Sequence, residues 1–259
     1  MNFTSAEINA WIGGYLWPLF RIGAVVGTAP IFGTHAVPVR IRVGIALLLT
    51  LVIAPTIPAV PQFDGLSVAG ILITVQQVLI GLAMGFALQM VFGAFVFAGQ
   101  LIAMSLGLGF ASMNDPVSGV VVPTVSQFYT VLVTLLFLAL NGHLVLIDVL
   151  ADSFRTLPVA AQGLTVNSLW QLVSWGSHIF SGAVLVALPA FAALLIVNLG
   201  FGVLTRSAPQ LNLFAIGFPA ILLFGFVIML LTLPTIMPPF TDLLDSIFGM
   251  LRNILAKGS

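Results

Sequence analysis

The residues that most often carry out chemistry in proteins are few in this sequence and far apart. The three histidines, His35, His143 and His178, lack the spacing of metal ligands, and the sequence has no cysteine. It contains no GxSxG, HExxH or phosphate-loop motif, and the pair Gly107 and Gly109 is an isolated GxG. The sequence therefore predicts no catalytic residues, no metal site and no bound cofactor.

Charged residues are rare, and one of them lies inside an apolar run. Arg21 interrupts the first apolar segment, where an unpaired charge would cost at least about 3 kcal/mol. It therefore needs an ion-pair partner, a group of carbonyl oxygens or a water-filled cavity. Asp148, Asp152 and Arg155 have the spacing of a local charge network on a helix, which more often forms a solvated surface than a functional site.

The composition is not that of a protein with a water-exposed surface. Of the 259 residues, 60% are hydrophobic and 5% are charged, whereas a soluble domain has about 25% charged residues. The mean hydropathy is +1.23. The formal net charge is zero, and the clusters of Lys and Arg that nucleic acid binding requires are missing. We therefore expect an all-α protein of a membrane complex that binds no nucleic acid.

Apolar segments long enough to form membrane helices follow one another along the chain. Two segments, residues 68–110 and 169–203, are too long for one crossing. The first would be two helices or one bent helix, with the break at Gly93 or Gly99, and the second one tilted helix or two short ones. The hydropathy therefore predicts about six to eight apolar helical segments. The remaining ones are residues 8–32, 43–57, 120–149 and 213–237.

The end of the chain has a different pattern. Its apolar residues recur at helical spacing, with Asp242 and Asp245 near the beginning and Arg252 near the end, as the helix dipole favours. We predict an amphipathic helix over residues 240–255 that lies on a membrane surface or in a groove of a partner. Its apolar positions are Phe240, Leu243, Leu244, Ile247, Phe248, Leu251, Ile254 and Leu255.

Small residues four positions apart recur inside the apolar segments. Gly23 and Gly27 form one such pair, and Gly81 and Gly85 form another. Small residues let helix backbones approach closely in an apolar medium. Both packing within the chain and contact with other subunits explain the pattern, and the sequence leaves the two open.

A series of short motifs resembles one protein family. The most specific is residues 204–212 (LTRSAPQLN), followed by residues 217–219 (GFP). Together the motifs extend over nearly the whole chain. In these motifs and their order the chain resembles the FliR family of type III export proteins, which includes members from injectisomes. The other motifs are Arg21, residues 29–33 (APIFG), residues 37–38 (VP) with Arg40 and Arg42, residues 107–110 (GLGF), residues 115–116 (DP), residues 141–143 (NGH), Pro158, residues 188–189 (LP) and Asn198.

The resemblance implies a subunit of the type III (flagellar) protein export gate. One copy of this chain would join FliP-like and FliQ-like subunits to form the channel for unfolded export substrates. FlhB-like and FlhA-like export proteins and rod or adaptor proteins would be further partners. The complex would lie in the bacterial inner membrane at the flagellar basal body. The whole of residues 1–259 would be a single export-gate domain of tilted helical hairpins.

The resemblance also implies roles for individual residues. Residues 106–122 would project into the channel and plug it, and an ordinary connecting loop is the alternative. Polar contacts between helices or subunits would come from Arg21, Arg40, Arg42, Arg206 and Asn212. The residues of the expected plug are Leu106, Gly107, Gly109, Phe110, Met113, Asn114, Asp115, Pro116 and Gly119.

Two other functions are compatible with a strongly apolar chain. A polytopic small-solute transporter would need polar residues that face a pore near the membrane midplane, whereas nearly all acids here map to loops or segment ends. An intramembrane enzyme would need a cluster of nucleophile, base or metal ligands, and no such cluster is visible in the sequence. The export-gate subunit is therefore the favoured function, with the transporter as the alternative.

Overall fold

The computed structural model describes residues 5–33, 37–58, 67–108, 124–207 and 217–256, with only the backbone described for residues 5–12. These stretches form nine α-helices and two 3-10 turns (Ala54–Thr56 and Leu233–Ile236), and no strand occurs among them. The predicted all-α class is confirmed. The helices are α1 (Ser5–Thr28), α2 (Val39–Ile53), α3 (Val68–Ser105), α4 (Thr124–Ala139), α5 (Gly142–Thr156), α6 (Val166–Trp175), α7 (Ser177–Ser207), α8 (Phe218–Thr232) and α9 (Met237–Ala256).

The helix α3 occupies most of the overlong apolar stretch at residues 68–110. It has 38 residues, which corresponds to a length of about 57 Å at 1.5 Å per residue. It runs without interruption through Gly93 and Gly99, so of the two predicted forms the division into two helices at one of these glycines is wrong, and the structure has one long helix. At Gly99 the reason for a glycine is close packing, because an added Cβ would lie 2.6 Å from Ser126 Cα.

Two other apolar stretches are each divided into two helices. Residues 120–149, predicted as one segment, contain all of α4 and the beginning of α5. Asn141 separates them with a left-handed backbone (φ 56°), a conformation that Asn tolerates better than most residues. In the stretch 169–203, α6 ends at Trp175 and α7 begins at Ser177. Of the two forms that the sequence left open there, the structure has two helices.

The chain forms two compact units. The first contains Met1–Met90, Phe137–Gly176 and Leu244–Ser259, and the second contains Val91–Leu136 and Ser177–Leu243. The helices α3 and α9 contribute residues to both units. The single export-gate domain over residues 1–259 stays a prediction.

In the first unit, α1 runs parallel to α3. Near the beginning of the contact, Trp17 Nε1 donates a hydrogen bond to Thr74 Oγ1 at 3.3 Å. Farther along both helices, Gln89 Nε2 donates to the Thr28 carbonyl oxygen at 2.7 Å. Because the residue numbers increase together in these two contacts, the helices have the same direction.

The glycines of α3 that face α1 explain how closely these helices pack. A Cβ added at Gly81 would lie 2.7 Å from Ala24 Cβ, and one added at Gly85 would lie 2.7 Å from Thr28 Cβ. This small-residue pair therefore packs within the chain. The other pair differs, since an added Cβ at Gly23 or Gly27 meets no atom of the described chain within 4 Å.

The C-terminal helix α9 contains the predicted amphipathic stretch 240–255. Its apolar residues are buried within the chain itself, with Phe240 and Ile247 completely inaccessible. Trp175 Nε1 donates a hydrogen bond to Ser246 Oγ at 3.0 Å. The prediction that this face lies on a membrane surface or in a partner groove is therefore wrong, because other apolar helices of the same chain cover it.

Several helices expose apolar residues over much of their length. By length and composition, four helical stretches of the described chain can cross a membrane. The number is five if α4 and α5 together count as one bent span. The six to eight segments predicted from hydropathy are an approximate count of the same apolar helices. In α2 the exposed residues include Leu48 and Val52, and in α8 they include Leu230 and Leu231. Exposed apolar surface of this extent is typical of helices that contact lipid or apolar subunits. The four stretches are Val39–Thr56, Val68–Ser105, Val166–Ser207 and Phe218–Ala256.

Candidate functional site

Arg21 is the most deeply buried charged residue of the described chain, with none of its surface exposed. From α1 its guanidinium donates four hydrogen bonds. Nε donates to Gln77 Oε1 at 2.8 Å. Nη1 donates to the carbonyl oxygen and the Oγ of Ser153 at 2.9 and 3.0 Å, and Nη2 donates to the Leu157 carbonyl oxygen at 2.9 Å. The Arg21 Cζ also lies 4.2 Å from the centre of the Phe154 ring.

The four acceptors of Arg21 are neutral, and three of them belong to Ser153 and Leu157 at the end of α5. The last carbonyl oxygens of a helix have no partner within the helix and carry the negative end of its dipole. The Ser153 carbonyl oxygen already accepts a hydrogen bond from Leu157 N at 2.9 Å, so the guanidinium is its second donor. The guanidinium also satisfies the Leu157 carbonyl oxygen and is stabilised by the dipole. Of the three environments that the sequence left open for Arg21, the structure therefore has the carbonyl oxygens.

The partners of Arg21 were not among the residues that the sequence predicted. Gln77 lies in α3 and is completely buried, and its Nε2 has no hydrogen-bond partner in the described chain. A signal was present, because Gln76 and Gln77 are adjacent polar residues inside a long apolar run. Ser153 had no such signal, since it lies beside the charged residues of a segment end.

The other polar residues that the sequence singled out have different environments. Arg40 is exposed in the first turn of α2, and Arg42 Nε donates a hydrogen bond to the Val37 carbonyl oxygen at 2.9 Å. Arg206 is exposed in the last turn of α7. Asn212 lies outside the described residues. Within the first unit, neither Arg40 nor Arg42 is among the hydrogen-bond partners of Arg21.

Only the first residues of the expected plug belong to the described chain. After α3 ends, Gly107 N donates to the Met104 carbonyl oxygen at 3.1 Å and Leu108 N donates to the Ala103 carbonyl oxygen at 3.0 Å. With Gly107 at φ +76°, these two bonds form a Schellman motif, the common end of a helix at a glycine. The expected plug residues that lie outside the described chain are Gly109, Phe110, Met113, Asn114, Asp115, Pro116 and Gly119.

The helices α7 and α8 contact the end of α3. Asn198 Nδ2 donates a hydrogen bond to the Ser105 carbonyl oxygen at 3.2 Å. Leu106 is only 1% exposed and packs against Gly225, where an added Cβ would overlap its Cδ2. The sequence pattern did not point to Gly225, and Asn198 belonged only to the motifs of the family resemblance.

An apolar cavity of about 340 Å³ lies beside this helix end in the second unit. Among the described residues that line it, Thr124 is the one polar residue and no side chain is titratable. The cavity can therefore hold an apolar group and offers no acid or base. Its lining residues are Leu108, Thr124, Val125, Phe128, Phe226, Met229, Leu230 and Leu233.

The histidines do not form a metal centre in the part of the chain that the structure describes. Within that part, no three His, Asp or Glu side chains are close enough together to hold a metal ion. His143 has a buried Nδ1 without a partner among these residues, and His178 is exposed. His35 lies outside the described chain.

Comparison with known proteins gives one consistent result. Residues 12–247 match the family described as "Bacterial export proteins, family 1". Two relatives named "Flagellar biosynthetic protein FliR", from Escherichia coli (strain K12) and Pectobacterium carotovorum subsp. carotovorum, are each 40% identical to this chain over 99% of its length and 98% of their own. A relative of the same name from Bacillus subtilis (strain 168) is 27% identical over 93% of this chain and 94% of its own length. The chain belongs to family 1 of the bacterial export proteins.

Proposed function

We propose that this chain is a subunit of the flagellar type III protein export apparatus. The observation that carries the proposal is the similarity over almost the whole chain to relatives named flagellar biosynthetic protein FliR, at 40% identity. The membrane-capable helices agree with this role. The role is structural, as part of a conduit, and its site of action is the bacterial inner membrane at the flagellar basal body.

In this proposal the chain forms an export gate with other subunits. One copy would join FliP-like and FliQ-like subunits around a channel for unfolded export substrates, with FlhB-like and FlhA-like export proteins and rod or adaptor proteins in contact with the assembly. The exposed apolar residues of α2 and α8 supply suitable surfaces, since helices of partner subunits would cover them.

The polar residues would have two kinds of role. Arg21 would hold helices of the chain together through its contacts with Gln77 and Ser153. Arg40, Arg42, Arg206 and Asn212 would make polar contacts with neighbouring subunits. Exposure of Arg40 and Arg206 at helix ends supports that assignment for these two residues.

Residues 106–122 would plug the closed channel. Two features of the described chain support this role. Near the start of the segment, Gly107 has a left-handed backbone that turns the chain away from α3, and Leu108 lines an apolar cavity together with Thr124.

Co-expression with FliP-like and FliQ-like partners, followed by purification in mild detergent and native mass spectrometry, tests the assembly. We expect a discrete mixed complex that contains one copy of this chain. A stable complex of this chain alone, with neither partner retained, would contradict the proposal and favour the small-solute transporter.

Deletion of residues 109–122 tests the plug in the assembled complex. We expect the complex to assemble normally and to conduct ions in a planar bilayer well above the conductance of the unaltered complex, because the closed channel would lose its block. Native mass spectrometry serves as the control for assembly. Unchanged conductance in a fully assembled complex would show that this segment does not close the channel.

A further inference from the structure

The last turn of α3 is held by two other helices at the point where residues 106–122 begin. The Ser105 carbonyl oxygen is one of the end carbonyls that have no partner within a helix. It accepts a hydrogen bond from Asn198 Nδ2 of α7 at 3.2 Å. A side chain from a distant part of the sequence therefore completes this helix end.

The side chain of Leu106 is held by α8. It is 1% exposed, and it occupies the space above Gly225, where an added Cβ would overlap Leu106 Cδ2 and lie 3.5 Å from Leu194 Cδ2. Any residue other than glycine at position 225 would therefore displace Leu106. The contact depends on shape, since the apolar side chain of Leu106 packs against the backbone of Gly225.

The backbone then turns at Gly107. Its φ of +76° is a conformation that L-amino acids other than glycine rarely adopt, and a Cβ added there would lie 3.4 Å from the Phe218 ring of α8. Immediately before this turn, the hydrogen bond to Ser105 and the buried Leu106 hold the helix end. The direction in which the chain leaves α3 is therefore determined by α7 and α8.

We propose that Asn198, Leu106 and Gly225 form an anchor, the α3 anchor, that positions the beginning of residues 106–122 in the closed gate. These are positioning residues, and the inference rests on the proposed function of that segment. Helix ends fray when their last carbonyls and side chains are released. Each residue released would let the segment move by about 3.5 Å, so that it would no longer stay aligned with the channel.

The substitution Gly225→Ala in the assembled complex with FliP-like and FliQ-like subunits tests the anchor. We expect the complex to assemble and its ion leak in a planar bilayer to rise severalfold over the unaltered complex, because Leu106 would be displaced. Leu106→Ala removes the buried side chain itself, and we expect it to raise the leak as well, because the α3 anchor would lose its contact with α8. Gly202→Ala in α7 is the matched control, since an added Cβ there meets no atom within 4 Å of it in the described chain.

A second measurement reports the position of the chain independently of conductance. Because the sequence contains no cysteine, Leu108→Cys supplies a unique site for a spin label. The label should become more mobile with Gly225→Ala and with Asn198→Leu, which keeps the volume and removes the donor. The Gly202→Ala control should leave its mobility unchanged.

The results separate the anchor from the plug. If deletion of residues 109–122 makes the complex leak while Gly225→Ala and Asn198→Leu leave assembled complexes tight, the anchor is overturned and the plug stands. If the deletion complex stays tight, the proposed plug fails and the role of the anchor fails with it. If Gly225→Ala prevents assembly, the conductance of the complex with Asn198→Leu is the test. A leak is the expected result, and a tight complex would overturn the anchor.

Discussion

At the scale of single residues, the described part of the chain shows how a buried charge can be held by neutral acceptors. Arg21 donates to Gln77 and to the carbonyl oxygens of Ser153 and Leu157, and the ring of Phe154 lies 4.2 Å from its Cζ. The flat guanidinium has donors that point in several directions, whereas a lysine ammonium is a compact charge on a flexible chain. The site therefore requires arginine for its geometry.

The substitution Arg21→Met should destabilise the folded chain by about 3 kcal/mol, because it removes the donor of the buried Gln77 Oε1 and of the Leu157 carbonyl oxygen. Arg21→Lys should recover only part of this loss. The thermal unfolding midpoint of the purified chain in detergent measures the effect. The control is Arg155→Ala, which removes the exposed pair with Asp152 (3.7 Å) and should change the stability by less than about 1 kcal/mol. Equal midpoints for Arg21→Met and Arg155→Ala would contradict the assigned role of Arg21.

At the scale of helices, close approach depends on glycines at particular positions. Gly81 and Gly85 lie on the face of α3 that contacts α1, and their added Cβ atoms would come within 2.7 Å of Ala24 Cβ and Thr28 Cβ. Gly93, on the same helix, has no atom of the described chain within 4 Å of an added Cβ. Glycines in one apolar helix therefore have different structural roles.

Gly85→Ala should destabilise the chain by about 1–3 kcal/mol, because the added methyl group overlaps Thr28 and forces α1 away from α3. Gly93→Ala should instead stabilise it by up to about 1 kcal/mol through the higher helix propensity of alanine. Thermal unfolding of the isolated chain in detergent compares the two. The packing of α1 on α3 would be contradicted if both variants were equally stabilised.

At the scale of the whole molecule, two compact units share the helices α3 and α9. In the second unit, Phe240 packs edge to face on Phe95 with ring centres 5.5 Å apart. In the first unit, Ser246 accepts the hydrogen bond of Trp175 at 3.0 Å. The C-terminal helix is therefore part of the core of each unit.

Removal of residues 237–259 should make both units sensitive to protease, because each would lose buried apolar residues of α9. Removal of residues 257–259 alone is the control and should have no effect on the core. Limited proteolysis in detergent, with the fragments identified by mass spectrometry, measures the outcome. A shortened chain as resistant as the full one would show that α9 is a peripheral attachment.

The sequence alone determined the general nature of this protein. Its hydropathy predicted an all-α chain with membrane-capable helices, because burial in an apolar medium depends on composition over about 20 residues. The motif at residues 204–212 and its companions predicted the resemblance to FliR, which the 40% identity of two relatives confirms. Both results rest on patterns within the linear sequence.

Only the tertiary structure determined which surfaces meet. Arg21 and the Ser153 carbonyl oxygen are 132 positions apart, and no local pattern connects them. The same is true of Gly225 and Leu106. The apolar face of α9 had the periodicity of a surface helix, yet the chain itself covers it. Periodicity shows that a face will be buried, and the three-dimensional packing of the other helices decides what buries it.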